Sequence, residues 1–216
     1  MHIDLVNAIK NIPIKTQELA TLMGEIERGS AYRSISSKMN ALEKTGEIIR
    51  LKRGLYVLQA TKYGYPPSAP ICSNHIYGPS YLSLQWALSY YGMIPERVNT
   101  FTAITLKHTR SFENELGYFT YRQVSQAYYP IGVTSSTMDG ATFLIASPEK
   151  ALCDLILADT HIPADSLQGL RRYLEEDIRL DMDQLKEFDT NIIASCAEQG
   201  KKRNIYCNLI KIINQI

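Results

Sequence analysis

A stripe of hydrogen-bond donors recurs every three or four residues between positions 33 and 44, which is the spacing of one helix face. Arginine can donate two bonds to guanine, asparagine can pair with adenine, and short hydroxyls reach phosphates or base edges. We therefore predict that this helix reads DNA, with Arg33 as the main base contact. The predicted helical DNA contacts are Arg33, Ser34, Ser37, Lys38, Asn40 and Lys44.

Three further basic residues lie in a predicted β-hairpin that follows this helix. Two short β-rich runs, EIIRLK (47–52) and LYVLQ (55–59), flank a glycine-containing turn. Seven lysines and arginines stand between positions 28 and 53 against two acids. We expect Arg50, Lys52 and Arg53 to contact phosphates. The alternative is a solvated or protein-docking face that carries ordinary surface charge.

The elements that must position these donors come in the order helix, helix, helix, hairpin. The apolar spacing predicts helices over 2–11, from Thr16 to Gly24 and over 31–45, with Gly46 as a left-handed stop. Ala31, Ile35, Met39 and Leu42 would face the core from the third helix. This order is typical of a winged helix-turn-helix, whose third helix enters the major groove while the hairpin lies on the backbone.

A proline-rich stretch separates this unit from the rest of the chain. We predict a winged-helix domain over 1–60, a linker over 61–74 and a second domain over 75–216. The second domain is predicted to start with a helix over 79–91 and to continue with four mostly antiparallel strands between 98 and 145. Ser147, Pro148 and Glu149 form a strong helix start, and helical patterns follow to the end. The expected fold class is α+β.

Composition and motifs exclude several function classes. The 23 basic and 22 acidic residues give a net charge of +1, although residues 1–62 carry an excess of four positive charges. The four cysteines and four histidines show no zinc spacing, and no GxSxG, HExxH, P-loop or GxGxxG motif occurs. No apolar run reaches the roughly 20 residues of a membrane span. We expect a cytoplasmic protein without enzymatic activity, catalytic residues, metal, cofactor or membrane partner.

A second basic cluster begins the last predicted helix. Lys201, Lys202 and Arg203 follow Gly200, and positive charge at a helix N-terminus opposes the helix dipole. The stability of that helix therefore does not account for the cluster. Contact with an acidic partner or RNA is one interpretation, and an ordinary exposed turn is the other.

Three motifs in this order resemble the AbiEi family of antitoxins from bacterial type IV toxin–antitoxin systems. They are EKTGEIIRLKRGLYVL (43–58), YLSLQWALSYYGMIPE (81–96) and ASPEKALCDLI (146–156). The resemblance implies a winged helix that represses its own operon and a second domain that opposes a nucleotidyltransferase-like toxin without a stable complex, usually in phage defence. The family's wing arginines correspond to Arg50 and Arg53, and it offers no catalytic residues. The implied DNA partner is a double-stranded operator, expected to hold inverted repeats.

Two other functions compete with a DNA-binding antitoxin. One is a winged-helix transcription factor whose second domain senses a small ligand or mediates oligomerisation, which would require an apolar pocket. The other is an enzyme or nuclease fused to a DNA-binding module, which would require a convergent cluster of carboxylates. The fold alone does not choose among them, since a winged helix can also dock proteins.

Overall fold

A helix packed on a small antiparallel sheet forms the described part of the N-terminal region. The computed structural model describes residues 13–15, 35–59, 67–138, 140–162 and 166–216. The sheet order is β1-β3-β2. The predicted third helix and hairpin are present, whereas the first two predicted helices lie outside the described residues. The elements are β1 (Ile14–Lys15), α1 (Ile35–Lys44), β2 (Ile48–Lys52) and β3 (Leu55–Leu58).

Glycines end the helix and turn the hairpin as their positions predict. Gly46 adopts a φ of +67° two residues after the end of α1, and Gly54 adopts a φ of +82° between β2 and β3. Both angles lie in the left-handed region that side chains with a Cβ disfavour. The amide of Glu47 then bonds the carbonyl of Leu42 at 2.9 Å, which closes the end of the helix.

The second sheet has six strands in the order β6-β7-β5-β4-β9-β8. The β5/β7 and β4/β9 pairs are parallel and the other three pairs are antiparallel, so the sheet is mixed with an antiparallel majority. Five strands, not the predicted four, lie between 98 and 145. The strands are β4 (Ser80–Leu82), β5 (Phe101–Thr105), β6 (Arg110–Asn114), β7 (Gly117–Gln123), β8 (Val133–Met138) and β9 (Ala141–Ala146).

Two strands were wrongly predicted as other structure. β6 lies at the edge of the sheet and exposes most of its residues, so it lacks the apolar alternation that identifies a strand. β4 falls inside the stretch predicted as a helix over 79–91. Its pairing with β5 and β9 on either side outweighs the helical spacing, and the helix begins only at Leu84.

Most helices of the second domain cover one face of this sheet. The predicted helix start at Ser147 is confirmed. The Ser147 side chain accepts a bond from the Lys150 amide at 3.3 Å, and Pro148 occupies the first turn. Tyr173–Asp177 forms a π-helical turn and Met182–Glu187 a 3₁₀ helix. The α-helices are α2 (Ala69–Ile76), α3 (Leu84–Tyr90), α4 (Pro148–Ala158), α5 (Leu167–Arg172), α6 (Thr190–Gln199) and α7 (Arg203–Ile213).

The predicted linker over 61–74 is wrong in its second half, because α2 begins at Ala69. Pro70 lies in the first turn of α2, where the missing N–H costs no helical hydrogen bond. The proline-rich stretch therefore contains the start of a helix as well as the boundary between the two predicted domains.

The small sheet is buried on both faces. One face packs against Met39 and Leu42 of α1. The other face, formed by Ile49, Leu51, Leu55 and Val57, packs against α2 and the large sheet and shares a core with Cys72, Ile76, Ala103, Phe119 and Tyr121. The hairpin and the second domain are therefore joined by a common hydrophobic core. A larger core lies between the other face of the large sheet and the helices α3, α4, α6 and α7.

In the parts of the chain that the structure describes, every helix falls short of the length and apolar character needed to cross a bilayer.

Candidate nucleic-acid interface

The outer face of α1 presents the predicted polar stripe. Met39 and Leu42 are buried, at 1% and 8% exposure, and attach the helix to the small sheet. Ser37, Asn40 and Lys44 are exposed on the remaining surface. The amphipathic spacing therefore predicted this part of the helix correctly. Arg33 and Ser34 lie outside the described residues, and so does the side chain of Ile35.

Two hairpin arginines are exposed beside α1. Arg50 projects from β2, and Arg53 lies in the turn to β3. Within the described residues, Lys44, Arg50 and Arg53 form no ion pair with a carboxylate. Their charges are therefore available to an external anion. This is the surface that we call the basic face: Ser37, Asn40, Lys44, Arg50 and Arg53.

Two of the residues predicted to contact DNA do not lie on this exposed surface. Lys38 is buried at 8% exposure and already interacts within the protein. Lys52 is half-buried, and its Nζ donates to the carbonyl of Ile76 on α2 at 2.6 Å. Helical spacing predicts that Lys38 lies beside the polar stripe of α1, but the packing around the helix buries its side chain. Lys52 connects the hairpin to the second domain, so neither lysine belongs to the basic face.

Two cations from the second domain lie next to the hairpin, and the sequence patterns did not identify them. Lys107 and Arg110 flank the turn between β5 and β6 and are exposed. Burial lowers the pKa of the Lys52 ammonium, and the positive charges of Lys107 and Arg110 lower it further. Both cations belong to the basic segment LKHTR (106–110), but its composition does not indicate that it lies next to the hairpin.

The basic cluster predicted at positions 201–203 also contains one cation that is engaged within the protein and two that are exposed. Lys202 is half-buried, and its Nζ donates to the carbonyls of Ile156 (2.8 Å) and Asp159 at the C-terminal end of α4. Arg122 donates to the carbonyl of Ala158 in the same turn. Lys202 opposes the dipole of α7 but complements the dipole of α4. Lys201 and Arg203 are exposed and remain available to a partner.

We expect Lys202→Met to lower the free energy of unfolding by about 1–2 kcal/mol, because it leaves the carbonyls of Ile156 and Asp159 without their cationic donor. Lys201→Met is the matched control and should change the free energy by less than about 0.5 kcal/mol, since Lys201 is exposed. Urea unfolding of both variants measures the difference. Equal stabilities would contradict the capping role of Lys202.

A buried polar network joins the second and third sequence motifs. Lys150 and Asp154 of α4 are 0% and 1% exposed, with Nζ and Oδ1 at 3.2 Å. Ser83 Oγ donates to Asp154 Oδ2 at 2.6 Å, and Lys150 Nζ donates to the carbonyl of Tyr128 at 3.0 Å. Burial raises the pKa of the Asp154 carboxyl, whereas the Lys150 ammonium and the Ser83 hydroxyl counter that rise. Because these groups are withdrawn from solvent, the network holds the strand before α3 to α4.

The four cysteines are free thiols, and two of them lie close together. Cys72, Cys153 and Cys196 are buried and Cys207 is exposed. Cys153 of α4 and Cys196 of α6 lie near each other in the core, and each thiol shifts the pKa of the other. Within the described ranges, no group of three or more His, Cys, Asp or Glu side chains is placed to hold a metal ion.

An open cleft of about 650 Å³ lies where β5 and β7 end beside the last turn of α4. Arg122 and Lys201 supply positive charge to its walls, and Tyr128 and Asp154 lie at its inner side. Ser125, Thr160 and Gln199 add neutral polar groups. The cleft is large enough for a small organic molecule and more polar than a purely apolar sensor pocket.

No protein-family model and no curated protein matches this chain. The resemblance to AbiEi antitoxins therefore rests on the three motifs. The structure adds that residues of the second and third motifs, Ser83 and Lys150, both bond Asp154.

Proposed function

We propose that this protein is a DNA-binding transcriptional repressor that acts as the antitoxin of a type IV toxin–antitoxin system. One observation carries the DNA-binding half: the basic face combines an exposed helix stripe with exposed hairpin arginines that have no ion partner within the described residues. A helix and an adjacent hairpin with this chemistry suit a duplex, in which the helix reads bases and the hairpin contacts phosphates.

The two kinds of contact have different expected roles. Asn40 can pair with adenine in the major groove and would supply sequence preference. Lys44, Arg50 and Arg53 would neutralise phosphates, which adds affinity for every sequence and makes binding depend on salt. Arg33 remains a predicted base contact from the sequence. The proposed target is the operator of the protein's own operon.

The antitoxin half is supported by the resemblance to AbiEi proteins and concerns the second domain. A nucleotidyltransferase-like toxin would be opposed there without a stable complex. Lys201 and Arg203 are the cations of the predicted cluster that remain exposed for such a role. A nucleotidyltransferase-like gene directly beside this one would support this half of the proposal.

Gel-shift titrations of the full chain test the DNA-binding half, with the duplex upstream of its own gene and an unrelated duplex. We expect Asn40→Ala to cost about 1–3 kcal/mol of discrimination between the duplexes, and Arg53→Ala to weaken both and lower the salt slope by about one. Lys186→Ala is the control, because Lys186 lies on the 3₁₀ helix Met182–Glu187 of the second domain and pairs with Asp183. Absence of binding by the unchanged protein would refute DNA recognition.

The cleft at the ends of β5 and β7 favours a second candidate function, a winged-helix regulator that senses a small ligand. Its size and its mixture of charged and polar groups are the supporting observation. In that case a small molecule would change the affinity for DNA, whereas the antitoxin proposal requires no ligand.

A further inference from the structure

The cleft beside the last turn of α4 lies on the side of the large sheet that faces away from the hairpin. Ala103 and Tyr121 point into the core shared with the hairpin. The next residues along β5 and β7 are Ile104 and Arg122, which point to the opposite face because side chains alternate along a strand. Ile104 belongs to the larger core between the sheet and the helices, and Arg122 lines the cleft. The sheet therefore separates the cleft from the hairpin.

Two cations stand at the mouth of the cleft. Arg122 Nη1 donates to the carbonyl of Ala158 at the end of α4, which holds the guanidinium at the rim. Lys201 is exposed and precedes Lys202, whose ammonium bonds the same end of α4. Within the described residues, neither Arg122 nor Lys201 forms an ion pair with a carboxylate. This end of the cleft is therefore suited to an anionic group such as a phosphate.

The inner side of the cleft offers a hydrogen-bond acceptor. Asp154 lines the cleft and is 1% exposed. Its Oδ2 accepts the Ser83 hydroxyl, whereas its Oδ1 lies 3.2 Å from the Lys150 ammonium and accepts no hydrogen bond within the described residues. A buried carboxylate oxygen without a hydrogen bond favours a ligand that brings an N–H or O–H group to this end.

The walls between these two ends combine apolar and neutral polar groups. Ile104, Val124 and Leu157 supply apolar surface for the face of a planar ring. Hydroxyls and amides that can bond a sugar come from Thr109, Gln123, Ser125, Thr160 and Gln199. The volume of about 650 Å³ is in the range of sites for drug-sized ligands, and an amino acid or a single phosphate would leave most of it empty.

We propose that this cleft binds a mononucleotide. The phosphate contacts Arg122 and Lys201, the sugar lies among the neutral polar groups, and an amino group of the base points toward Asp154. A mononucleotide combines the anion, the polar middle and the ring with an N–H donor in one molecule of the required size. The inference rests on the second candidate function, because it names the class of ligand that a ligand-sensing regulator of this fold would detect.

Calorimetric titration of the full chain with AMP, CMP, GMP and UMP tests the proposal. We expect AMP to bind about tenfold more tightly than adenosine or inorganic phosphate, because either half of the ligand occupies only one end of the cleft. CMP should bind about tenfold more tightly than UMP. CMP carries an amino group where UMP carries a carbonyl oxygen, and that oxygen would face the carboxylate of Asp154.

Two variants test the location of the site. Lys201→Met removes an exposed cation from the mouth and should weaken the binding of AMP about tenfold. Arg203→Met is its matched control, because Arg203 belongs to the same basic cluster and lies outside the cleft. Thr160→Trp fills the cleft from its exposed edge and should abolish binding, whereas Thr134→Trp on the edge strand β8 should leave binding unchanged.

The outcomes distinguish the nucleotide site from the proposed function. Binding that Lys201→Met and Thr160→Trp weaken and that both controls keep supports the site. Absence of binding by all of these nucleotides at about 5 mM, or equal binding by every variant, overturns it. Gel shifts at saturating nucleotide then test regulation: a changed affinity for DNA supports the ligand-sensing function, and an unchanged affinity refutes that function while the site stands. Failure of the unchanged protein to bind DNA refutes the repressor and leaves the nucleotide site intact.

Discussion

Asp154→Ala is expected to lower the free energy of unfolding by about 3–5 kcal/mol, because it leaves the ammonium of Lys150 buried without its counter-charge. Lys150 is 0% exposed, and its Nζ has the Asp154 carboxylate at 3.2 Å and one backbone carbonyl at 3.0 Å. The substitution also removes the acceptor of the Ser83 hydroxyl, whose bond measures 2.6 Å. Urea unfolding followed by circular dichroism measures the loss.

A variant that removes both charges distinguishes two quantities. One is the free energy lost when a single buried charge is left unpaired, and the other is the net contribution of the ion pair to stability. Lys150→Met/Asp154→Leu replaces the two charged side chains with apolar ones of similar volume, which is often neutral for a buried pair. We expect this double variant to recover most of the stability that Asp154→Ala loses. A loss below about 1 kcal/mol in Asp154→Ala would contradict the role of the network in holding α4 to the strand before α3.

A fragment that starts at Pro67 is expected to be less stable than the full chain by on the order of 5 kcal/mol, since fully burying an apolar side chain contributes about 1.5–3 kcal/mol. Without the hairpin, the fragment exposes Ile76, Phe119 and Tyr121, which are at most 1% exposed in the full chain. Urea unfolding midpoints measure the loss, and binding of a hydrophobic dye should reveal the uncovered face. A fragment as stable as the full chain and without dye binding would show that the shared core contributes little.

The fragment is therefore a poor test of whether the two halves divide DNA binding and antitoxin activity. A full-length Lys44→Ala/Arg53→Ala variant serves as the matched control, because both side chains are exposed and outside the shared core. We expect it to keep the stability of the unchanged protein while it loses affinity for DNA. Protection against the toxin by this variant would show that the activities are separable.

The core shared by the hairpin and the second domain also affects how the protein would bind DNA. The sequence suggests two units connected by a linker, in which case the second domain could move freely around a bound winged helix. The shared core and the bond from Lys52 to α2 fix the two together. A duplex bound to the hairpin would therefore have the second domain at a constant position beside it.

Local chemistry determined the elements whose signals lie within a few residues. Ser147 and Pro148 start α4 because a hydroxyl cap and a first-turn proline favour a helix wherever they occur. Gly46 ends α1 for a similarly local reason, and the exposed positions of Asn40 and Lys44 follow from helical spacing around Met39 and Leu42. These features are short-range, and the sequence alone was sufficient for them.

Tertiary structure decided which polar residues are free to act. Lys38 and Lys202 resemble surface cations in the sequence, yet packing covers the first and the end of α4 engages the second. β4 and β6 form because neighbouring strands pair with them, and Ser83 meets Asp154 across 71 residues of chain. The burial and the partners of a side chain depend on segments far away in the sequence, and only the folded chain brings those segments together.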